Sequence, residues 1–335
     1  MKEVTTVGVD LAKAVFTVHG VDAAGRTVLR KTVHRDKLIE LIAALPPCLI
    51  GMEAGSGAHE WARRFERHGH RVGIMMARFV AAYRKSSKND GNDAEAICEA
   101  VARPNMRLVP VKSAEQQAIL SLHRVRQGYI EERTATINRI RGLLAEFGVV
   151  LPQRAEQVRR AAVVVAEALP VLAREAIADL RTHLTYLDER ISRHERQLVA
   201  LAKEHEPARR IQGLCGIGPL TASAITASMA SGHEFANGRQ FAAWLGLVPR
   251  QYSSGGKMRL GRITKRGDAY LRTLLMLGAR AVLRSAAQKT DRLSRWAVAL
   301  RLRRGYHRAI IAVAAKNARI IWALLAKNRE FVLPV

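Results

Sequence analysis

The feature that most constrains the fold is a set of carboxylates placed at the ends of short apolar runs. Val4-Thr5-Thr6-Val7-Gly8-Val9 is rich in β-branched residues and stops on Asp10, and Cys48-Leu49-Ile50-Gly51-Met52 reads as a buried strand that stops on Glu53. A third acidic position differs in kind. In Lys88-Asn89-Asp90-Gly91-Asn92-Asp93-Ala94-Glu95-Ala96-Ile97, two aspartates three apart open an apolar-periodic segment that runs to Val101. On a helix, Asp90 and Asp93 share one face within the first turn, where two carboxylates repel unless something positive holds them together. Either of two causes accounts for them: a divalent cation, or the preference of Asp for helix starts as an N-cap.

Charge narrows the partners. The chain has 335 residues, room for two domains or more, and carries 55 Lys and Arg against 29 Asp and Glu, a formal net charge of +26. A field of that sign and size implies a polyanion, nucleic acid before a membrane surface, because no stretch reaches 18 uninterrupted apolar residues. Met1-Lys2-Glu3 leads directly into a strand-like run, without the pattern of a signal peptide. The cysteines at 48, 98 and 215 are isolated, with no CxxC and no ligand-spaced His, so reduced, core-filling thiols and a cytoplasmic setting are expected.

Taken in order, the first third is α/β. After the strand ending at Asp10, residues 14–19 and 27–33 form two more strands joined by the Val21–Arg26 turn, and a helix over 37–45 is stopped by Pro46-Pro47. The strand that delivers Glu53 is followed by a helix over 58–68, a strand over 71–76 and the acidic helix over 90–101. This βββαβαβα order, with acids at the tips of strands one and four and on the last helix, resembles the RNase H-like fold. That fold places strands one and four side by side. It brings Asp10, Glu53, Asp90 and Asp93 together as all-oxygen ligands for one or two Mg²⁺ ions that serve phosphodiester chemistry. In the bland alternative, Asp10 and Glu53 merely terminate strands.

The middle of the chain is helical. One long helix is expected from Ser113 to about Phe147, its stripe interrupted by Arg126 and Arg133, and a further helix over 154–169. A second long helix carries Ile177, Leu180, Leu184, Leu187, Ile191, His194, Leu198 and Leu201 in a 3-4-3-4 rhythm, the pattern of a coiled-coil seam. Its partner, within the chain or in another copy, is left open by the pattern.

The last third is mainly helical and very basic. Ile211 to Ala222 is a glycine-rich turn entering a helix and resembles a helix-hairpin-helix unit. There Gly216 and Gly218 would let backbone N–H groups approach a phosphate, although any tight helix–helix connection also uses glycine. Beyond it lie Pro249-Arg250-Gln251-Tyr252-Ser253-Ser254-Gly255-Gly256-Lys257 and Arg259-Leu260-Gly261-Arg262-Ile263-Thr264-Lys265-Arg266-Gly267. From Gly255 to Ala309 there are fifteen Lys and Arg against two Asp. Arg250, Lys257, Arg259, Arg262, Lys265 and Arg266 are candidate phosphate contacts. A hydroxyl in that field is either a nucleophile or part of a flexible phosphate-binding loop.

Together, Gly8-Val9-Asp10-Leu11-Ala12-Lys13, Met52-Glu53-Ala54, Asp90-Gly91-Asn92-Asp93-Ala94, Pro249-Arg250-Gln251-Tyr252-Ser253-Ser254-Gly255 and Lys265-Arg266-Gly267 are similar to the motifs of the DEDD insertion-sequence transposases. This is the Piv-like group of bridge-RNA-guided recombinases. The resemblance spans essentially the whole chain. It implies a RuvC-like domain over 1–104, a helical coiled-coil region over 105–205 and a serine-bearing transposase domain over 206–335. It also implies Mg²⁺ on the four acids and Ser254, rather than the adjacent Ser253, as the residue joined transiently to DNA. The implied partners are donor and target DNA, a structured noncoding RNA and further copies of the chain as dimer or tetramer, in a nucleoid-associated bacterial setting. Two other readings fit the residues: a metal-dependent nuclease of the Holliday-junction-resolvase kind, with Ser254 a loop residue, and a non-catalytic nucleic-acid-binding protein whose acids are caps.

Overall fold

The computed structural model describes residues 3–85, 87, 89–151, 156–160, 169–229 and 232–329, arranged as two compact units, Met1–Glu115 and Gln116–Val335. Lys88 and most of the helix expected over 154–169 lie outside the described residues.

The first unit is built on one mixed sheet with strand order β3-β2-β1-β4-β5-β6. Its strands are β1 (Thr6–Asp10), β2 (Val15–Val21), β3 (Thr27–His34), β4 (Leu49–Glu53), β5 (Arg71–Met75) and β6 (Leu108–Val109). The first three form the expected antiparallel meander, β4 and β5 add parallel to β1, and β6 closes the edge antiparallel to β5. That order sets β1 and β4 side by side, as expected of an RNase H-like sheet. Helices α1 (Leu38–Ala43) and α2 (Ala58–Arg67) cover one face through a core of Val7, Val9, Phe16, Val18, Ile50, Met52, Trp61 and Phe65. After the short α3 (Ala77–Val80), helix α4 (Asp90–Val101) covers the other.

Residues alternate sides along a strand, so that second face carries Gly8 of β1, Gly51 of β4 and Gly73 of β5, paired across the sheet in one row. Helix α4 lies directly on this row. A Cβ on Gly8 would sit 2.2 Å from the Ala94 carbonyl oxygen and 2.5 Å from the Cys98 nitrogen; one on Gly51 would sit 2.8 Å from Val101, and one on Gly73 2.7 Å from it. Three glycines thus make a floor flat enough for a helix backbone. Cys98 fills the space beside it, buried and with its thiol pushed up to about 12 by desolvation; Cys48, pushed up to about 11, does the same on the opposite face.

The second unit is helical, apart from a two-stranded hairpin. The expected long helices are α5 (Ala114–Ala145) and α6 (Val171–Glu204). The stripe on α6 is covered within the chain: Ile177 and Leu184 pack with Ile137, Ile140 and Leu144 of α5, and Leu187, Ile191 and Leu198 are all buried. The arginines that interrupt the α5 stripe mark the register. Arg126 donates to Glu195 and Arg133 donates to Asp188 at 3.1 Å, while Tyr129 stacks on His194, so the two helices run antiparallel. Next come α7 (Glu206–Gln212), α8 (Pro219–Ser228), α9 (Gly238–Trp244), strands β7 (Pro249–Gln251) and β8 (Leu260–Ile263), α10 (Ala269–Ser285), α11 (Arg292–Arg304) and α12 (Tyr306–Ala326). Helix α12 is long and apolar enough to cross a membrane, yet its Ile310, Val313, Ala314, Ala318 and Ile321 form the core against α9, α10 and α11.

Candidate functional site

Asp10 and Glu53 close β1 and β4, one residue beyond the register pair Val9↔Met52. They follow Gly8 and Gly51 by two, so both carboxylates stand on the α4 face at the same end of adjacent strands. Both are half-buried. Helix α4 supplies the other two acids. The N-cap is Asn89, whose Oδ1 accepts from Asn92 N at 2.9 Å, so neither aspartate is spent as a cap. Glu95, Glu99 and Ala102 line a cavity beside Thr5 and Thr6, at the start of β1. Asp93 precedes Glu95 by two residues, about 200° round the helix, and so occupies the opposite flank, towards the strand ends that carry Asp10 and Glu53. Asp90 is exposed a turn earlier, where the neighbouring Gly91 abuts Arg30 of β3.

The donor chemistry of the four expected ligands would suit a hard divalent cation, since all are carboxylates with no thiolate or imidazole among them. The structure does not bring them together as a set: among the described residues no three His, Cys, Asp or Glu side chains stand close enough to hold a metal. Asp93 is engaged instead by Arg84, whose Nε lies 3.1 Å from its Oδ1. Sequence reasoning missed Arg84, which sits just outside the acidic motif.

The serine motif is a β-hairpin rather than a loop. Ser254 bridges to Lys257, whose N–H donates to the Ser254 carbonyl at 3.0 Å, and Gly255 (φ 54°) and Gly256 (φ 73°) form the two-residue turn. Positive φ at both central positions is the type I′ geometry that suits the twist of paired strands and admits glycine at no steric cost. The pairs Ser254↔Lys257 and Gln251↔Leu260 fix the register, and Tyr252 N donates to Arg259 O at 2.9 Å in step with it. One face therefore carries Ser254, Tyr252, Arg250, Lys257 and Arg259; the other carries Ser253, Gln251, Met258 and Leu260.

The two serines are not equivalent. Ser253 Oγ accepts from Gln251 Nε2 at 3.0 Å and from Arg259 N at 3.2 Å, which ties it into the hairpin. Ser254 is exposed, and its hydroxyl makes no hydrogen bond among the described residues. The base of the hairpin is fixed: Thr264 N donates to Val248 O at 2.8 Å and Lys265 N to Gly246 O at 3.1 Å. Gly246 and Gly267 pass so close to the opposing backbone that a Cβ would lie 2.7 Å from Arg266 N and 2.0 Å from Trp244 O, respectively. Asp268, the nearest acid in sequence, is the N-cap of α10 and accepts from Leu271 N at 3.0 Å. From Gly246 to Gly267 there are six Lys and Arg and no Asp or Glu. Arg250, Lys257, Arg259, Arg262, Lys265 and Arg266 are all exposed.

Of the two glycines expected to approach a phosphate, Gly216 (φ 85°) packs against Gly278 of α10, where a Cβ would lie 2.7 Å from its carbonyl oxygen. Its conformation serves helix packing. Gly218 is exposed at the start of α8 with open space around it.

Below α10's first turn runs a buried chain of polar groups that the sequence did not reveal. His123 of α5 is 1% exposed, and burial pulls its pKa down to about 4, so the ring is neutral. Ser223 Oγ donates to Leu220 O at 3.3 Å and so accepts from His123 Nε2–H at 2.9 Å; Tyr270 O–H then donates to Nδ1 at 2.9 Å. Arg126 donates in turn to Tyr270 and to Glu195. The network joins both long helices to α8 and α10.

Two transposase family models match the chain. A DEDD transposase model of the IS110 group matches residues 7–148, and the Transposase IS116/IS110/IS902 family model matches residues 208–295. The transposase for insertion sequence element IS1111A of Coxiella burnetii is 42% identical over 342 residues, covering 99% of this chain and 92% of its own length. The chain belongs to the IS110/IS116/IS902 family of transposases. The transposase for insertion sequence element IS1328 of Yersinia enterocolitica is 39% identical over 332 residues, 99% of both chains. A Pseudomonas aeruginosa protein named "Probable family 20 transposase" is 49% identical over 327 residues, 96% of this chain and 97% of its own. Both family models therefore meet in one insertion-sequence transposase, an enzyme that cleaves and transfers DNA strands.

Proposed function

We propose that this transposase cuts and rejoins DNA through a transient phosphoserine at Ser254, with Asp10, Glu53, Asp90 and Asp93 as the ligands of one or two Mg²⁺ ions. The observation that carries the reading is the contrast between the two serines: Ser253 is held by Gln251 and Arg259, while Ser254 stands exposed at the tip of a hairpin with Lys257 and Arg259 on its own face. In the step, the bond from Ser254 Oγ to phosphorus forms as the bond from phosphorus to the departing deoxyribose oxygen breaks. The proton lost by the serine is balanced by the one the departing hydroxyl takes up. The cations of the hairpin stabilise the charge that builds on the phosphoryl oxygens. Mg²⁺, when bound, would supply further charge neutralisation and favour the alkoxide form of an attacking hydroxyl. Asp268, the acid nearest in sequence, is engaged through Oδ1 as the N-cap of α10.

Gly218, Arg250, Lys257, Arg259, Arg262, Lys265 and Arg266 are assigned to nucleic-acid contacts. A structured noncoding RNA that pairs with donor and target DNA is the proposed guide; the net charge of +26 accommodates it, and its co-purification with the chain is the direct check. Exchange between two duplexes calls for more than one copy of the chain, as dimer or tetramer.

The deciding experiment traps the wild-type chain on a suicide DNA substrate and maps the adduct by mass spectrometry. An adduct at Ser254 that is lost in Ser254→Ala and retained in Ser253→Ala supports the proposal. Cleavage by Ser254→Ala with no adduct, still abolished by Asp10→Asn, would leave a metal-dependent nuclease of the resolvase kind.

A further inference from the structure

Tyr252 is a tyrosine with 64% of its surface exposed, on a hairpin that has no core of its own. Nothing in the fold accounts for it. Among the described residues it joins no hydrophobic cluster, and Gly261 faces it across the hairpin, so that a Cβ there would lie 3.6 Å from the tyrosine Cε2. One side of the ring lies over bare backbone and the other faces outward. By the register, Tyr252 stands on the same face as Ser254, two residues and roughly 7 Å away, with Arg250 beyond it and Lys257 and Arg259 on the neighbouring strand. An exposed aromatic flanked by cations is what binds a nucleic-acid strand through both its parts, bases on the ring and phosphates on the charges. A second copy of the chain fits this face poorly, because an identical hairpin would bring Arg250, Lys257 and Arg259 against the same three cations.

We propose that Tyr252 is a positioning residue. Its ring stacks on an unstacked base beside the phosphodiester that Ser254 attacks, and so sets that phosphate at the hairpin tip. The spacing supports this: a residue two along a strand is displaced by about 7 Å, close to the separation of adjacent phosphates in an extended single strand. The inference rests on the reading of Ser254 as nucleophile for its catalytic meaning, but the stack itself is measurable without any reaction.

The test uses the full chain with Ser254→Ala, which removes the nucleophile, and a single-stranded oligonucleotide carrying 2-aminopurine, beside a duplex of the same sequence. Tyr252 should quench the probe on binding. Tyr252→Ala should lose the quench and weaken single-strand binding by roughly 5- to 100-fold, the loss expected for one base–aromatic stack, with the salt slope unchanged. Tyr252→Phe should keep both. Lys257→Ala should do the converse, reducing the salt slope by about one while leaving the quench at saturation intact. If Tyr252→Ala binds and quenches as its parent does, the stack does not exist. If it instead changes the mass of the assembly and leaves oligonucleotide binding untouched, the ring is a protein contact. A wild-type chain that shows the quench yet forms no adduct at Ser254 would refute the nucleophile and keep the stack. An adduct without the quench would refute the stack alone.

Discussion

The glycine floor beneath α4 makes a demand that can be tested by adding one methyl group at a time. At Gly8 the added carbon would lie 2.2 Å from the Ala94 carbonyl oxygen and 2.5 Å from the Cys98 nitrogen, both backbone atoms of α4. Neither can rotate away, so the helix must retreat by roughly 1 Å, and the contacts it makes across the sheet loosen with it. Overpacking against fixed backbone belongs at the upper end of its usual range, about 3 kcal/mol. At Gly73 the obstacle is Val101 Cγ2, at 2.7 Å. Gly73→Ala should cost about 2 kcal/mol alone, and Val101→Ala, which removes that carbon, should relieve it, so that the double variant is more stable than the two single losses added together. No truncation can rescue Gly8→Ala. Hydrogen exchange read by mass spectrometry over residues 94–101 reports this helix without requiring a two-state transition of the whole chain. In Gly8→Ala those amides should exchange roughly 100-fold faster. Gly20→Ala is the control, because its new carbon meets only the side chains of Leu29 and Val4, at 3.1 and 3.2 Å. Native-like protection in Gly8→Ala, or no rescue of Gly73→Ala by Val101→Ala, would refute the idea that the floor sets the height of α4.

Three further outcomes follow from particular groups. His123 is neutral in the fold with a pKa of about 4 and titrates near 6.5 when unfolded, so the unfolded chain binds the extra proton first. The second unit should then lose stability as pH falls from 6.5 towards 4, by about 3 kcal/mol at the end, a loss that His123→Gln should abolish in urea titrations. Arg126→Met leaves Glu195 and the Tyr270 hydroxyl without their donor and should cost about 2 kcal/mol, discounted because Glu195 is 41% exposed; a thermal transition unchanged from wild type would show the network to be idle. DNA affinity should fall steeply with salt, as expected for a chain of net charge +26, and a flat dependence would point to another kind of partner.

How much of this was legible beforehand depends on whether a feature is local. An apolar run that ends on an acid is a one-dimensional signal, and the ends of β1 and β4 fell where Asp10 and Glu53 put them. The N-cap of α4 stayed open, because Asn89 and Asp90 are both good caps and only the backbone, extended at Asn89 (φ −155°), decides between them. Gly8, Gly51 and Gly73 look like weaknesses in separate strands until the register aligns them. The 249–263 segment looked like a loop because its strands are exposed on both faces and so lack apolar alternation; the paired glycines of a two-residue turn were the signal available. On the long helices, the leucine stripe was plain but its partner was not. Arg126 and Arg133, which spoil the periodicity of α5, turn out to face Glu195 and Asp188. His123 and Tyr270 are 147 residues apart, and no spacing rule joins them.

Glycine has opposite uses in the two motif sets, and the difference bears on the proposed chemistry. Under α4 it removes side chains so that two backbones can touch, which leaves the helix one height and one rotation, and carboxylates that share a cation need their relative positions fixed to a fraction of an ångström. In the hairpin, Gly255 and Gly256 touch nothing; they supply handedness and leave the tip bare, while Gly246 and Gly267 lock its base against the ends of α9 and α10. A hydroxyl that must reach phosphorus, bond to it and later release it gains from such a mounting, rigid at the root and unobstructed at the tip. Ser253, bound by two donors, stiffens the last pair before the turn without blocking the face on which Ser254 stands. The neighbouring serine therefore has a structural part in the same site: with Ser253→Ala the tip should still react, but from a looser hairpin, whereas no compensating contact replaces Ser254.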